Sequence, residues 1–417
     1  MASSTLAVGV VETQADGWAE DRALRLTGVL LFATLFLQRF ALPVGPDGIS
    51  IVGPIGLMIV AGGVLQGTLA LHRARLVLYL LFVVGTLLGL AWHAGSWGQM
   101  EYASNLPSIG QFLLLSSFAI VTFAQPVDEA RFFRLVNFYL MLIGAAGILQ
   151  FLAQFAGLGL FSFTGLLPSS ILFETMYNLQ IPIGVGSLLK SNGFFLVEPS
   201  VLSQMMAVAL IIEVLAFRRL SYLAVFTVAL LLSFSGTGWI VIGAFLVGAV
   251  LSLGWRGLFL AVATLCVLGL VALGASFVAP DLALAVAGRF GEFTQPGTSG
   301  HLRFVTPYWL LSDVLDADPV RALVGLGGGV SEKLTMPYEY NVNTPVKIAI
   351  EYGFPVLVVY LLLFLVGRRT AVQGALVFPA MVLFLFTGGY QQFPPILFFI
   401  LLLIAVAWLR PSDAAAR

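Results

Sequence analysis

Long apolar runs recur along this chain between Leu26 and Leu409, and they restrict its fold more than any other feature. Most are about 17–25 residues long, the length that a helix needs to cross the ~30 Å hydrocarbon core of a bilayer. The runs are continuous and do not alternate in short strands, which favours helices over a barrel. Charged residues make up only 10% of the chain, against about 25% in a soluble domain. The sequence therefore predicts an all-α integral membrane protein.

The runs predict about twelve transmembrane helices. They cover approximately 27–45, 50–71, 76–92, 105–124, 135–158, 199–217, 221–235, 238–253, 257–278, 346–366, 375–390 and 393–409. Because Lys and Arg favour short cytoplasmic loops, the charge distribution places both termini in the cytoplasm. We therefore predict a poorly ordered cytoplasmic tail, one polytopic membrane domain and a second cytoplasmic tail, at 1–25, 26–410 and 411–417 respectively. The segment Ser233–Trp239 is either a turn between two helices or a break within one.

The longest segment that cannot lie in a bilayer is 279–345, a large extracytoplasmic loop between the ninth and tenth predicted spans. Seven basic residues map to this side or near it, where the charge rule selects against them. They are Arg39, Lys190, Arg289, Arg303, Arg321, Lys333 and Lys347. These residues need another explanation, and anion binding is the one we consider.

The segment Lys190–Ser200 leads into the sixth predicted span. A cation beside a helix N-terminus is a suitable seat for a phosphate group. Alternatively, Glu198 serves only to complement the helix N-terminus before Pro199, and Lys190 only anchors the segment at the membrane interface. Both interpretations fit the sequence.

In the large loop, Arg289 and Arg303 are candidates for pyrophosphate binding, since each guanidinium offers a planar fork of donors. From His301 to Leu315 the apolar residues Phe304, Tyr308, Leu311 and Leu315 recur at helical spacing and predict an amphipathic helix. A helix lying on the membrane surface is the alternative for this element.

Other residues in and near the loop allow two interpretations each. Gly325–Gly329 lacks a preceding strand, so a turn with close backbone approach is favoured over a nucleotide-binding loop. Lys347 and Glu351 are one helical turn apart, so they either pair or present a lysine to a polar site. Four aromatic side chains stack on sugars or form an interfacial belt: Trp309, Tyr338, Tyr340 and Tyr390.

Several classes of site find no support. The net charge is zero, which gives no reason to expect a nucleic acid partner. The three histidines are scattered, and the loop carboxylates are explained by a solvated helix end, so no metal ion or other cofactor is predicted. The single Cys266 allows no intrachain disulfide.

Together these features resemble the O-antigen ligase and polymerase superfamily, specifically its Wzy-type exopolysaccharide polymerases. The resemblance covers most of the chain and includes a large extracytoplasmic loop in its second half. The segments that carry it are Gly193-Phe-Phe-Leu-Val-Glu-Pro-Ser-Val-Leu-Ser203, Ser233-Phe-Ser-Gly-Thr-Gly238, Arg289 to Arg303, Pro319 and Gly325-Leu-Gly-Gly-Gly329.

The resemblance implies a metal-independent, inverting glycosyltransferase of the bacterial inner membrane. Its substrate would be an oligosaccharide on polyprenyl pyrophosphate, joined at the periplasmic face. Membrane lipid, a chain-length regulator and export proteins are the other partners it implies. By this resemblance Lys190 and Arg303 contact the pyrophosphate.

Four further residues are candidate ligands of the substrate. Arg289 and Lys347 are candidates for binding the pyrophosphate, and Tyr340 and Asn343 are candidates for binding a sugar. The family's ligases carry a His-Asn pair before a Glu-x-Gly motif, but here Val342 precedes Asn343. The general base therefore stays open among three residues, Glu198, Glu339 and His301. An O-antigen ligase and a secondary transporter or flippase are the alternative functions.

Overall fold

The structure is a computed structural model, and it describes residues 4–43, 48–95, 105–163, 166–173, 181–183, 187–278, 288, 291, 294–317 and 319–411. Within these ranges the chain is mainly α-helical, with a few strands of two or three residues. The helices are α1 (Ser4–Phe36), α2 (Val52–Leu65), α3 (Arg73–Gly95), α4 (Leu106–Ser116), α5 (Glu129–Ala153), α6 (Pro199–Ile212), α7 (Leu220–Leu232), α8 (Thr237–Leu253), α9 (Trp255–Val278), α10 (Ser299–Phe304), α11 (Thr306–Ala317), α12 (Arg321–Val324), α13 (Thr344–Tyr352), α14 (Phe354–Leu365), α15 (Ala371–Phe386) and α16 (Pro394–Leu401). The strands are β1 (Ala41–Leu42), β2 (Ile49–Ser50), β3 (Leu69–Leu71), β4 (Val121–Phe123), β5 (Val127–Asp128) and β6 (Leu409–Arg410).

Each of the twelve predicted apolar runs contains a helix, so the predicted helical class is confirmed. Among the described residues, three helices are long and apolar enough to cross a membrane: Arg73–Trp92, Glu129–Ala156 and Pro199–Phe217. Further apolar helices are shorter, with 10–17 residues each. The apolar helices are compatible with a membrane protein, whereas the number of twelve spans stays a prediction.

Two helices form the centre of the bundle. Every residue of α6 except Leu210 is buried, and so is every residue of α16. A helix that is apolar on all sides has to be surrounded by other elements. Accordingly, α5, α7, α8 and α15 pack around α6, while α1, α2 and α15 pack around α16. The N-terminus of α6, which follows Glu198, is thereby held in a fixed position.

Connections between helices meet at two ends of the bundle. One end, which we name the Arg131 end, holds β3 and β4 as an antiparallel pair and β5 and β6 as a parallel pair. There Arg131 forms ion pairs with Glu20 at 2.8 Å and Asp21 at 2.7 Å, and Arg410 pairs with Glu20 at 2.7 Å. These contacts tie the first helix to α5 and to the end of the described chain.

The opposite end, named the Glu198 end, gathers the other connections. Phe40 forms an isolated β-bridge with Leu172, and the amide of Asn105 donates to the carbonyl of Gly328 at 2.8 Å. At each end of the bundle, these contacts join connecting segments that the sequence places on the same side of the membrane. Which side of a membrane each end faces stays a prediction.

The segment that was predicted as a poorly ordered N-terminal tail is instead helical from Ser4 onward. The ion pairs explain the difference for its last turns, because Glu20 is buried between Arg131 and Arg410. Ala23 is also buried in the core. Tertiary contacts, which sequence composition does not reveal, order this part of α1.

The amphipathic helix predicted from His301 to Leu315 is in fact two helices, α10 and α11, separated at Val305. Proline disfavours helical backbone in the residue before it and lacks an N–H group, and Pro307 lies next to this break. In α11, Leu310 and Val314 are buried, whereas Tyr308 is exposed. The buried face of α11 is therefore offset from the apolar face that the sequence predicted, and that prediction was wrong.

Two other interpretations are settled. Residues between α7 and α8 form a turn between two helices, in which Phe234 has a φ of 45°. Gly325 has a φ of 71°, and a Cβ atom there would lie 2.4 Å from the carbonyl carbon of Glu351. The prediction of a glycine turn with close backbone approach is confirmed.

Candidate functional site

A cavity of about 310 Å³ lies at the Glu198 end of the bundle. Its walls come from the segment before α6, the turn between α7 and α8, and residues 298–304. Three of the residues predicted from sequence line it together: Lys190, Glu198 and Arg303. Its size lies near the lower limit of small-molecule sites, which span about 300–1,000 Å³.

Glu198 occupies the residue position just before α6, with extended backbone at φ −141° and ψ 156°. Its side chain does not cap the helix. Instead the carboxylate accepts a hydrogen bond from Ser200 Oγ at 2.7 Å and an ion-pair contact from Arg303 Nη2 at 3.5 Å. The side chains of Glu198 and Arg303 are 22% and 19% exposed, so both are reachable from the cavity. Helix capping alone therefore does not explain Glu198.

Lys190 is buried and is carried by a turn that α5 holds in place. Gln154 donates to the carbonyl of Leu189 at 3.0 Å and accepts from its amide at 2.8 Å. The backbone amide of Lys190 donates to the carbonyl of Ile181 at 2.9 Å. The lysine thus projects from a fixed backbone, which is what a binding site requires.

Gln150 lies on α5, one turn before Gln154, which directly follows that helix. It binds the residues that follow Lys190. Its Oε1 accepts from Ser191 Oγ at 3.0 Å, from the amide of Asn192 at 3.1 Å and from the amide of Phe194 at 3.3 Å. Its Nε2 donates to the carbonyl of Phe161 at 2.8 Å and to Asn192 Oδ1 at 2.9 Å.

These bonds hold a backbone conformation that is unfavourable by itself. Phe194 has a φ of 63°, which costs roughly 1–2 kcal/mol for a residue with a Cβ atom. Arg39, one of the seven basic residues singled out by the sequence, donates to the carbonyl of Phe194 at 3.2 Å and lies over the ring of Phe163. Arg39 therefore supports this turn.

The floor of the cavity joins α6 to the turn before α8. Ser203 Oγ accepts from the amide of Gly238 at 2.8 Å and donates to the carbonyl of Ser235 at 3.1 Å. Thr237 Oγ1 donates to the carbonyl of Ser200 at 3.1 Å. A Cβ atom at Gly238 would lie 2.3 Å from Ser203 Oγ, so the close approach requires glycine.

This packing brings two helix N-termini to one cavity. The first residues of α6 and of α8 both line it, and a helix N-terminus carries a partial positive charge and unpaired N–H groups. Lys190 and Arg303 add two full positive charges, and Glu198 supplies one carboxylate. The arrangement can hold a phosphate-containing group next to a carboxylate that can accept a proton.

The other candidate bases lie away from this cavity. His301 is buried, its ring lies edge-on to Trp309 at 5.1 Å, and its Nδ1 has no hydrogen-bond partner among the described residues. Glu339 is exposed. Neither residue lines the cavity. Arg289, a predicted pyrophosphate ligand, lies outside the described residues.

Lys347 is buried and belongs to a separate network of ion pairs. Its Nζ forms ion pairs with Glu332 and, at 3.7 Å, with Glu351. Glu351 also accepts a hydrogen bond from Ser331 Oγ at 2.5 Å. The pairing of Lys347 with Glu351, one of the two alternatives considered, is thus present, and Lys347 does not line the cavity.

Asn343 and Tyr340 form hydrogen bonds to backbone groups of the loop and of the helix that follows it. Asn343 Oδ1 accepts from the amide of Val346 and so caps α13, while its Nδ2 donates to the carbonyl of Arg303 at 3.5 Å. Tyr340 donates to the backbone carbonyls of Ser331 and, at 2.6 Å, Leu334. Asn343 therefore links the helix after the loop to the backbone that carries Arg303.

Three loop aromatics form a chain of edge-on contacts, from Trp309 to Tyr338 and on to Tyr340. Burial, together with the neighbouring carboxylate of Asp313, raises the pKa of Tyr338. Its hydroxyl accordingly keeps its proton and donates it to Asp313 at 2.5 Å.

Sequence reasoning missed Gln150 and Gln154. A signal was present, because both are polar side chains inside the predicted span 135–158, and polar groups in apolar spans are commonly functional. Within the described part of the chain, no three His, Cys, Asp or Glu side chains lie together as a metal-binding group. The described residues form a helical protein with apolar helices and, at the Glu198 end, a polar cavity lined by Lys190 and Arg303. No family model, curated protein or solved structure matches the chain.

Proposed function

We propose that this protein is a polysaccharide polymerase that joins oligosaccharide repeats carried on polyprenyl pyrophosphate. The observation that supports this most directly is the cavity in which Lys190, Arg303 and two helix N-termini surround one carboxylate. A glycosyl pyrophosphate releases a diphosphate when its sugar is transferred. Cations placed where this charge develops lower the barrier to its departure.

In this proposal Lys190 and Arg303 hold the diphosphate, and Glu198 accepts the proton of the acceptor hydroxyl. The 3.5 Å contact between Arg303 and Glu198 is long for an ion pair. A diphosphate can therefore replace Glu198 as the partner of Arg303, which leaves the carboxylate available to the acceptor. The hydroxyl oxygen attacks the anomeric carbon as the bond to the diphosphate breaks, so the configuration inverts.

The remaining predicted residues receive supporting roles. We assign Asn343 to positioning Arg303, since it bonds the carbonyl of that residue. Lys347 and Tyr340 stabilise the loop end through Glu351 and the carbonyl of Leu334. Arg289 stays a candidate ligand of the diphosphate.

The membrane arrangement belongs to the same proposal. The protein spans the bacterial inner membrane about twelve times with both termini in the cytoplasm, and the Glu198 end faces the periplasm. No nucleotide sugar is present there, so a preformed lipid-linked donor supplies the free energy.

The test is a gel of lipid-linked and total polysaccharide from the source bacterium after deletion of this gene. Complementation uses wild type, Arg303→Ala, Lys190→Ala and the control Lys333→Ala, which removes a basic residue of the same loop that does not line the cavity. We expect single repeats without a ladder in the deletion, restored by wild type and the control only. Removing one charge-stabilising group typically costs about 100-fold or more in rate.

Three outcomes would contradict the proposal. Wild-type chain lengths with Arg303→Ala, at equal protein level, would remove the assigned role of the cavity. A normal lipid-linked ladder that never reaches its final acceptor would identify a ligase. Repeats retained on the cytoplasmic leaflet would identify a transporter.

A further inference from the structure

A second large cavity lies at the Arg131 end, in a groove between α1 and α5 that the start of α7 closes. We name it the α1–α5 groove; it has a volume of about 1010 Å³. No residue that lines it also lines the cavity at Glu198. The proposed polymerase reaction makes no use of it.

The groove contains four arginines, and two of them are already neutralised. Arg131 pairs with Glu20 and Asp21, and Arg219 pairs with Glu213 at 2.8 Å. The other two, Arg25 and Arg134, are exposed and form no hydrogen bond or ion pair with the described residues. The groove therefore presents two uncompensated positive charges at one end.

The rest of the groove is apolar and faces outward. Val29, Phe32 and Phe138 line it, with 54%, 48% and 48% of their surfaces exposed. Phe138 belongs to Glu129–Ala156, one of the helices long and apolar enough to cross a membrane. In the membrane arrangement of the proposed function, on which this inference rests, these side chains lie at a level where lipid tails surround the protein.

We propose that the α1–α5 groove binds an anionic phospholipid of the adjacent leaflet. Its phosphodiester lies between Arg25 and Arg134, whose guanidiniums each offer paired donors to phosphate oxygens. One acyl chain lies along Val29, Phe32 and Phe138. Basic pockets between transmembrane helices at a membrane surface recognise lipid headgroups in this way.

Charge and shape together select this occupant. A zwitterionic lipid carries a cation beside its phosphate and leaves the two arginines partly uncompensated. A free phosphate matches the charge but leaves the apolar walls without a partner. Only a ligand with a net negative headgroup next to a hydrocarbon chain satisfies both halves of the groove.

The test is native mass spectrometry of the full chain, purified in detergent and titrated with dioleoylphosphatidylglycerol, dioleoylphosphatidylcholine or glycerol phosphate. We expect preferential binding of phosphatidylglycerol by the wild type. Each neutralised arginine should weaken binding about fivefold, so Arg25→Ala with Arg134→Ala should weaken it about 25-fold. The matched control is Arg256→Ala, an exposed arginine that does not line the groove.

Arg25→Gln with Arg134→Gln serves as the companion pair, because it removes the charge but keeps a polar side chain with the same two methylene groups nearest the backbone. Unchanged phosphatidylglycerol binding in either double variant would overturn the proposal. Equal binding of phosphatidylcholine by the wild type, or glycerol phosphate competing as strongly as the lipid, would overturn it as well. Since the groove and the cavity at Glu198 share no residues, failure here leaves the proposed polymerase activity unaffected.

Discussion

Replacing Gln150 by leucine should loosen the turn that carries Lys190 while leaving the helical bundle intact. The substitution removes five hydrogen bonds and nearly preserves volume. Phe194 keeps an alternative acceptor, Asn192 Oδ1 at 3.1 Å. The buried amide of Asn192 and the carbonyl of Phe161 lose the partner that Gln150 supplied.

Asn192 is buried, and a buried amide left without a partner costs about 1–3 kcal/mol, whereas Phe161 is 49% exposed and its carbonyl can bond to water. We therefore expect the free energy of opening this turn to fall by about 1–3 kcal/mol. At the lower limit, the amide of Asn192 should exchange its hydrogen ~5-fold faster, since 1.36 kcal/mol corresponds to tenfold. Polymer formation should fall as well, because Lys190 loses its fixed position.

The assay is hydrogen–deuterium exchange with mass spectrometry, following peptides that cover Leu189–Phe195. The control is Gln111→Leu, which removes an exposed amide with one bond, to the carbonyl of Gln392 at 3.2 Å. Exchange of the turn at the wild-type rate in Gln150→Leu would falsify the reasoning. So would a lower midpoint of thermal unfolding with equally faster exchange throughout the helices, since that would indicate loss of the bundle itself.

Two further predictions concern stability, measured as the midpoint of thermal unfolding in detergent. Arg219→Ala leaves Glu213 buried without its cation and should lower the free energy of unfolding by about 3 kcal/mol. This value is near the lower end for broken buried pairs because the arginine is partly exposed. Adding Glu213→Gln to the same chain should recover part of the loss, and no recovery would contradict this explanation. Gly238→Ala forces an overlap with Ser203 and should cost about 1–3 kcal/mol, whereas Gly243→Ala, in the same helix with open space around it, should be neutral or slightly stabilising; equal effects of the two alanines would refute the overlap.

Part of the candidate site could be predicted because its residues interrupt the apolar pattern. Lys190 and Glu198 precede an apolar run, and Arg303 lies in the large loop. Lys190 and Arg303 map to the predicted extracytoplasmic side, where basic residues are disfavoured. That Arg303 lies beside Glu198 could not be predicted, since 105 positions separate them along the chain. Their contact depends on how α6, α8 and the loop pack together.

The supporting residues were harder to predict for a different reason. Gln150 reads as one polar residue in an apolar span, and nothing local shows which backbone it binds. Its partners lie up to 44 positions away, on a turn whose shape is itself irregular. Similarly, Lys347 was assigned to the site by its charge, although Glu332 and Glu351 already surround it.

The sequence by itself determined the helical class of this protein, because a long apolar run in a bilayer has to satisfy its backbone groups locally, and a helix does so. Tertiary structure alone decided which polar residues share a site. His301 and Arg303 show why: two positions apart on a helix, they point about 200° apart. The packing of α10 turned Arg303 toward the cavity and His301 toward Trp309. The site lies on the Arg303 side of α10 because the start of α6, which follows Glu198, packs on that side.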